Sequence, residues 1–163
     1  MKRLRIYVAG PYTGRDREEI DLNVTRAIDA GIEVYLRGHY PYVPHLTDLV
    51  DLRAKETGKK LSWHDFIQWD MPWLNLCDAL LYLGNSRGAD IELEEAKRLR
   101  KRIFYSVEEV PQITAREAEE EKEMATLTYW EAARRGAAYL DQKQPGWRSR
   151  VVPELLDAGS ECR

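Results

Sequence analysis

Asp78-Ala79-Leu80-Leu81-Tyr82-Leu83-Gly84-Asn85-Ser86-Arg87-Gly88 is the stretch that decides the fold. Its apolar run is unbroken, as in strands buried on both faces of a parallel sheet. Gly84 to Gly88 then turns the chain into a helix expected from about Ala89 to Lys101. The same grammar recurs on both sides. Upstream, Leu4 to Ala9 reads as a buried first strand ended by Gly10-Pro11-Tyr12-Thr13-Gly14, and a helix follows from about Asp16 to Arg37 with Ile20, Val24, Ala27, Ile28, Gly31, Val34 and Tyr35 as its apolar stripe. Tyr40-Pro41-Tyr42-Val43-Pro44 is a short strand whose two prolines limit its ladder. Asp48 to Lys60 reads as a polar connection. Ser62-Trp63-His64-Asp65 is a capping-box start for a helix reaching the mid-seventies, which Pro72 is expected to distort or end. Downstream, Ile103-Phe104-Tyr105 is the last strand. Strands alternating with helices imply an α/β fold with a doubly wound parallel sheet of about five strands, its ligands held beyond the carboxyl ends of the strands.

Composition narrows the function. The 163 residues carry 25 basic and 28 acidic side chains, a formal charge of -3, which argues against a nucleic-acid binder. With 44% hydrophobic and 33% charged residues the chain is expected to be globular, with no segment of membrane-spanning length and no signal core after Met1-Lys2-Arg3. Cys77 and Cys162 suggest no disulfide framework, and a cytoplasmic setting is expected. His39, His45 and His64 have no metal-ligand spacing, so no metal is expected. Gly58-Lys59-Lys60 is not a Walker loop, and Gly10 with Gly14 is not a dinucleotide fingerprint.

Two helical stripes are broken by carboxylates. After Leu83 the inward stripe is Ala89, Leu93, Ala96 and Leu99, and Glu92 points inward with them. In the preceding helix the stripe is Phe66, Trp73, Leu74 and Cys77, and Asp70 falls inside it. An inward carboxylate costs several kcal/mol unless it is paired or hydrogen-bonded. A first-turn Glu92 would also be stabilised by the helix dipole, by up to about 1 kcal/mol, so a capping or buffering role stands beside catalysis for both residues. Two carboxylates in unequal environments are what glycosidic chemistry uses, one as nucleophile and one as acid. Asn23 interrupts the first helix's stripe and either ties down the first loop or touches substrate. Gly10 and Gly14 permit a tight, backbone-rich loop able to receive an anion.

Ile6-Tyr7-Val8-Ala9-Gly10-Pro11-Tyr12-Thr13-Gly14, Pro44-His45, Trp69-Asp70, Cys77-Asp78-Ala79-Leu80 and Ser86-Arg87-Gly88-Ala89-Asp90-Ile91-Glu92 together resemble the nucleoside 2-deoxyribosyltransferase superfamily over residues 4 to 107, closest to its DUF4406-type bacterial and phage branch. The resemblance implies a Rossmann-like fold and cleavage of the N-glycosidic bond of a 2′-deoxynucleoside or its 5′-monophosphate. It makes Glu92 the nucleophile, Asp70 the residue that orients the ligand or handles the leaving base's proton, and Tyr7 the support of the nucleophile. Ser86 stands where the related monophosphate N-hydrolases carry a phosphate-binding serine. The first loop departs from those hydrolases, having Pro11 and Thr13 where they offer serine and arginine, with Arg15, Arg17 and Arg87 as remaining cations.

The expected substrate-binding set is Gly10, Pro11, Tyr12, Gly14, Asn23, His45, Ser86, Gly88 and Ala89. His45 is equally readable as a loop hydrogen bond, and Trp63, Trp69 and Trp73 as a base-stacking wall, as core or as interface. No cofactor, nucleic acid or membrane partner is expected. A homo-oligomer is, since the resembled enzymes complete their sites from a neighbouring subunit. The domain is expected over 1–110. Residues 111–163 form an extension, with a capping box at Thr114, a helix to about Leu140 carrying Leu127, Trp130, Ala133 and Ala137 near one face, and a loose tail. Two other functions fit the same residues: a catalytically idle nucleotide-binding sensor, and a structural or partner-binding protein using the charged C-terminal helix.

Overall fold

Residues 2–143 are described by a computed structural model of the chain. β1 (Arg5–Ala9) is its central strand, fully buried from Ile6 onward. Alternation along it sends Ile6 and Val8 to one face, where they pack with Ala27, Ala30 and Val34 of α1 (Arg17–Leu36), and Tyr7 and Ala9 to the other. α1 is capped by the Asp16 side chain, which accepts from the Glu19 amide. It ends at Gly38, whose φ of +90° lets the amides of Gly38 and His39 close back onto the carbonyls of Tyr35 and Val34. The chain then enters β2 (Tyr40–Tyr42), and a 3-10 turn over Pro44–Thr47 follows.

β3 (Ala79–Tyr82), α4 (Arg87–Arg98) and β4 (Arg102–Phe104) follow the pattern read from the sequence. All pairings are parallel and the order is β2-β1-β3-β4. The sheet is doubly wound, with α1 on one face and α3 (Trp63–Leu76) and α4 on the other. The switch point lies between β1 and β3, where α/β sheets open their ligand crevice. The expected five strands are four among the described residues. The polar stretch after Thr47 adds no strand.

That stretch is instead a helix, α2 (Asp48–Glu56). Its local signal is weak: Thr47 makes no side-chain cap, and Ala54 is its one buried apolar residue. What holds it is polar, through Asp51–Lys55 and Arg53–Glu56 pairs and a buried first residue, Asp48. Pro72 does not end α3, which runs on to Leu76 with Ser62 and Asp65 closing the capping box. Burial of Leu74 and Cys77 just beyond the proline holds the last turn in place. Trp73 departs from its expected inward position, being 46% exposed, as does Tyr35 on α1, 64% exposed.

The first compact unit ends at Glu117, seven residues beyond the expected boundary. Val110 and Ile113 are buried, and the Pro111 carbonyl lies 2.7 Å from His39 Nε2. α5 (Ala115–Lys143) opens at Thr114, whose hydroxyl accepts from the Glu117 amide, and makes up the described part of the second unit. Leu127 and Trp130 on it are exposed. The tail from residue 144, with Cys162, lies outside the described residues.

Candidate active site

The site grows out of strand register. Tyr7 and Tyr42 are partners across β1 and β2, so both rings leave the same face of the sheet, and they stack at 5.5 Å between centroids. The two helices covering that face each bring one carboxylate to a phenol. The Tyr7 hydroxyl donates to Glu92 Oε1 at 2.6 Å, and the Tyr42 hydroxyl donates to Asp70 Oδ1 at 3.0 Å.

Both carboxylates are 6% exposed. Burial pushes Glu92 up to about 8; the Tyr7 hydrogen bond works against that shift and the nearby charge of Asp70 adds to it. Burial likewise lifts Asp70 to about 6, with Tyr42's hydrogen bond opposing. The Tyr7 phenol is held well above its ordinary range, chiefly by burial, so it stays a donor. Because α4 begins at Arg87, two residues earlier than expected, Glu92 sits in its second turn and Asp90 takes the first. The helix dipole fades beyond the first turn, so capping does not account for the Glu92 carboxylate.

Glu92 and Asp70 open onto one cavity of about 470 Å³. Of the expected contacts, Gly10, Tyr12, His45, Ser86, Gly88 and Ala89 line it. Pro11, Gly14 and Asn23 do not. Gly14 serves the loop: a Cβ there would fall 2.7 Å from Glu19 Cβ and 2.9 Å from the Ile20 amide. Asn23 Nδ2 donates to the carbonyls of Tyr12 and Thr13, the tying-down role. Pro11 offers its carbonyl to His45 Nε2 at 3.0 Å, which fixes the proton on that nitrogen and makes His45 a tie of the first loop as well as a residue of the cavity wall. Burial lowers the His45 pKa, against the backbone carbonyls of Pro11 and Gly10, which favour the charged ring. Ser86 caps α4 through the Ala89 amide at 3.2 Å, and the amides of Arg87 and Gly88 are left without intrahelical partners.

Residues 4–106 match a family described as a domain of unknown function, DUF7768. The chain belongs to the DUF7768 family. No curated protein matches it. The DUF7768 stretch holds both phenols, both carboxylates and every residue lining the cavity, and it stops short of α5.

The DUF7768 cavity also has wall residues outside the expected set, Asp51, Lys55, Leu61 and Ile67 among them. Tyr12 donates to Asp48 at 2.8 Å, and Arg17 grips the same carboxylate with two nitrogens at 2.9 and 2.6 Å, which locks the first loop to α2. That engages Arg17, and Arg15 is bound to Glu19. Arg87 is the one of the three arginines on the cavity, its guanidinium 4.3 Å from the centre of the Trp63 ring. Lys55, paired to Asp51 at 2.7 Å, faces it from α2, while Leu61, Phe66 and Ile67 supply apolar wall. Trp63 lines the cavity; Trp69 is exposed, and Trp73 stacks on Tyr42 at 5.5 Å. α2 was missed as a helix, so its Asp51 and Lys55 were missed with it. Tyr42 was missed because only the β1–β2 register sets it beside Tyr7.

Proposed function

We propose that this protein cleaves the N-glycosidic bond of 2′-deoxynucleosides or their 5′-monophosphates through a covalent Glu92-deoxyribosyl intermediate. One observation carries it: a buried glutamate, held by a tyrosine hydroxyl at 2.6 Å, shares a cavity with a second buried carboxyl of different acidity. A volume of about 470 Å³ lies in the range of small-molecule sites, about 300–1,000 Å³.

The reacting form has Glu92 ionised and Asp70 protonated, which with acidities near 8 and 6 is the minority of the two singly protonated forms at pH 7. In that form the Glu92 carboxylate attacks C1′ from the face opposite the base. The bond from C1′ to the base nitrogen breaks through an oxocarbenium-like transition state and an ester to Glu92 forms. The electron pair leaves with the base, which takes the proton of Asp70. Water or a second base then attacks C1′ and gives up its proton to the Asp70 carboxylate; the ester bond breaks and Glu92 leaves as the carboxylate, giving hydrolysis or transfer. Lack of a 2′-hydroxyl eases formation of the cation, which favours deoxy substrates. Tyr7 orients the nucleophile and stabilises its anion. The Trp63–Ile67 wall suits a base. Arg87, with the free amides at the start of α4, suits a 5′-phosphate. A sensor that only bound nucleotides would have no use for a buried, tyrosine-held carboxylate. A cytoplasmic homo-oligomer goes with this reading; Cys77 is a free, buried thiol.

Incubation with a panel of deoxynucleosides and monophosphates, with and without an acceptor base, followed by chromatography, tests it. Free base from at least one member is expected. No release from any member would overturn it.

A further inference from the structure

The residue that matters here lies outside the cavity wall. Tyr42 is held on both sides of its ring, by Tyr7 at 5.5 Å and an interplanar angle of 29°, and by Trp73 at 5.5 Å and 17°. A ring clamped in this way has one direction for its hydroxyl, and that hydroxyl meets Asp70 Oδ1 at 3.0 Å. Tyr7 does the same for Glu92 one strand away. Two phenols in register on adjacent parallel strands, which lie about 4.8 Å apart, thus each hold one carboxylate of the same cavity.

We propose that Tyr42 is a positioning residue that aims the Asp70 carboxyl into the cavity and keeps its proton available, the counterpart on β2 of what Tyr7 does for Glu92. This rests on the glycosidic reading for its catalytic meaning but not for its physical content. With the Tyr42 hydroxyl spent on Oδ1, the other oxygen is left to carry the proton toward a leaving base. The hydrogen bond favours the anion and so opposes the burial that favours the acid. Tyr42 thereby limits how tightly Asp70 keeps its proton. The charged and titratable groups facing Asp70 are Tyr42 on β2, Tyr7 on β1 and Glu92 on α4. Across the cavity stand His45, the Asp51–Lys55 pair and Arg87, none of them hydrogen-bonded to Asp70.

Tyr42→Phe removes the hydroxyl and keeps the ring in its clamp. Asp70 is followed by carboxyl-carbon NMR in the full-length protein without substrate, so the readout does not depend on any activity. The Asp70 midpoint is expected to rise by about one to two pH units, the size of a hydrogen bond to a charged group. The acid-side limb of the base-release profile should rise with it. Replacing Tyr42 by a ring-fluorinated tyrosine, a stronger donor that keeps the fold, should move the midpoint down. An Asp70 midpoint unchanged in both variants overturns the inference. If the midpoints move as expected and no deoxynucleoside or monophosphate is cleaved, it is the glycosidic reading that falls.

Discussion

Glu92 is a costly residue to bury, and its cost is set by pH. Its carboxyl rises from an ordinary 4.5 to about 8 in the folded protein, so the native state binds a proton that the unfolded chain has released. The stabilisation linked to that proton is complete below about pH 4.5 and is lost as pH climbs through about 8. Glu92→Gln keeps an acceptor for Tyr7 and removes the charge. It should be more stable than the wild type at pH 8–9 by a few kcal/mol, since each pH unit between the folded and unfolded midpoints is worth about 1.4 kcal/mol, and nearly equal to it at pH 4.5. Urea melts of both proteins at the two pH values check this. The same acidities give base release a bell-shaped profile, with limbs near 6 and 8 and a maximum near pH 7, carried by the minority form with Glu92 ionised and Asp70 protonated. Glu92 and Asp70 were both legible in the sequence as polar breaks in apolar stripes. Tyr42 was not, because its role depends on which residue of β1 it faces, and register is a property of two strands together.

At the scale of elements, what the sequence showed and what it hid follow one rule. β1, β3 and α4 have local patterns that agree with their packing, and they are found within about three residues of where they were expected. α2 and the end of α3 run against local preference and are held from outside, α2 through Asp48 in the grip of Tyr12 and Arg17, α3 through buried Leu74. Pro72 is the clearest conflict. It sits exposed inside α3 and denies the Gln68 carbonyl its helical donor. Pro72→Ala should therefore raise stability by about 1–2 kcal/mol in a denaturant titration, less than the full helix-interior cost because the unfolded chain also gains freedom. A loss of stability would mean that the break in the helix is needed where it stands.

For the whole molecule, the sequence placed the end of the domain at residue 110 by a change in composition. The chain's own contacts carry it further. Val110 and Ile113 are buried, and the Ile113 amide donates to the Arg37 carbonyl at 2.9 Å, behind α1. A fragment ending at Glu117 is expected to melt cooperatively, while one ending at 110 loses the Ile113 contact and about 1–3 kcal/mol with it. Thermal melts of both fragments distinguish the two boundaries, and equal stability would restore the earlier one. Among the described residues no helix is long and apolar enough to cross a membrane.

The central claim concerns one carboxylate acting on one bond, and the rate of base release by the wild type and by Glu92→Gln tests it most directly. Measured near pH 7 on a deoxynucleoside or monophosphate that the wild type cleaves, with both proteins shown to be folded, release by the variant should fall by about three orders of magnitude or more. Release by Glu92→Gln at the wild-type rate would contradict the account.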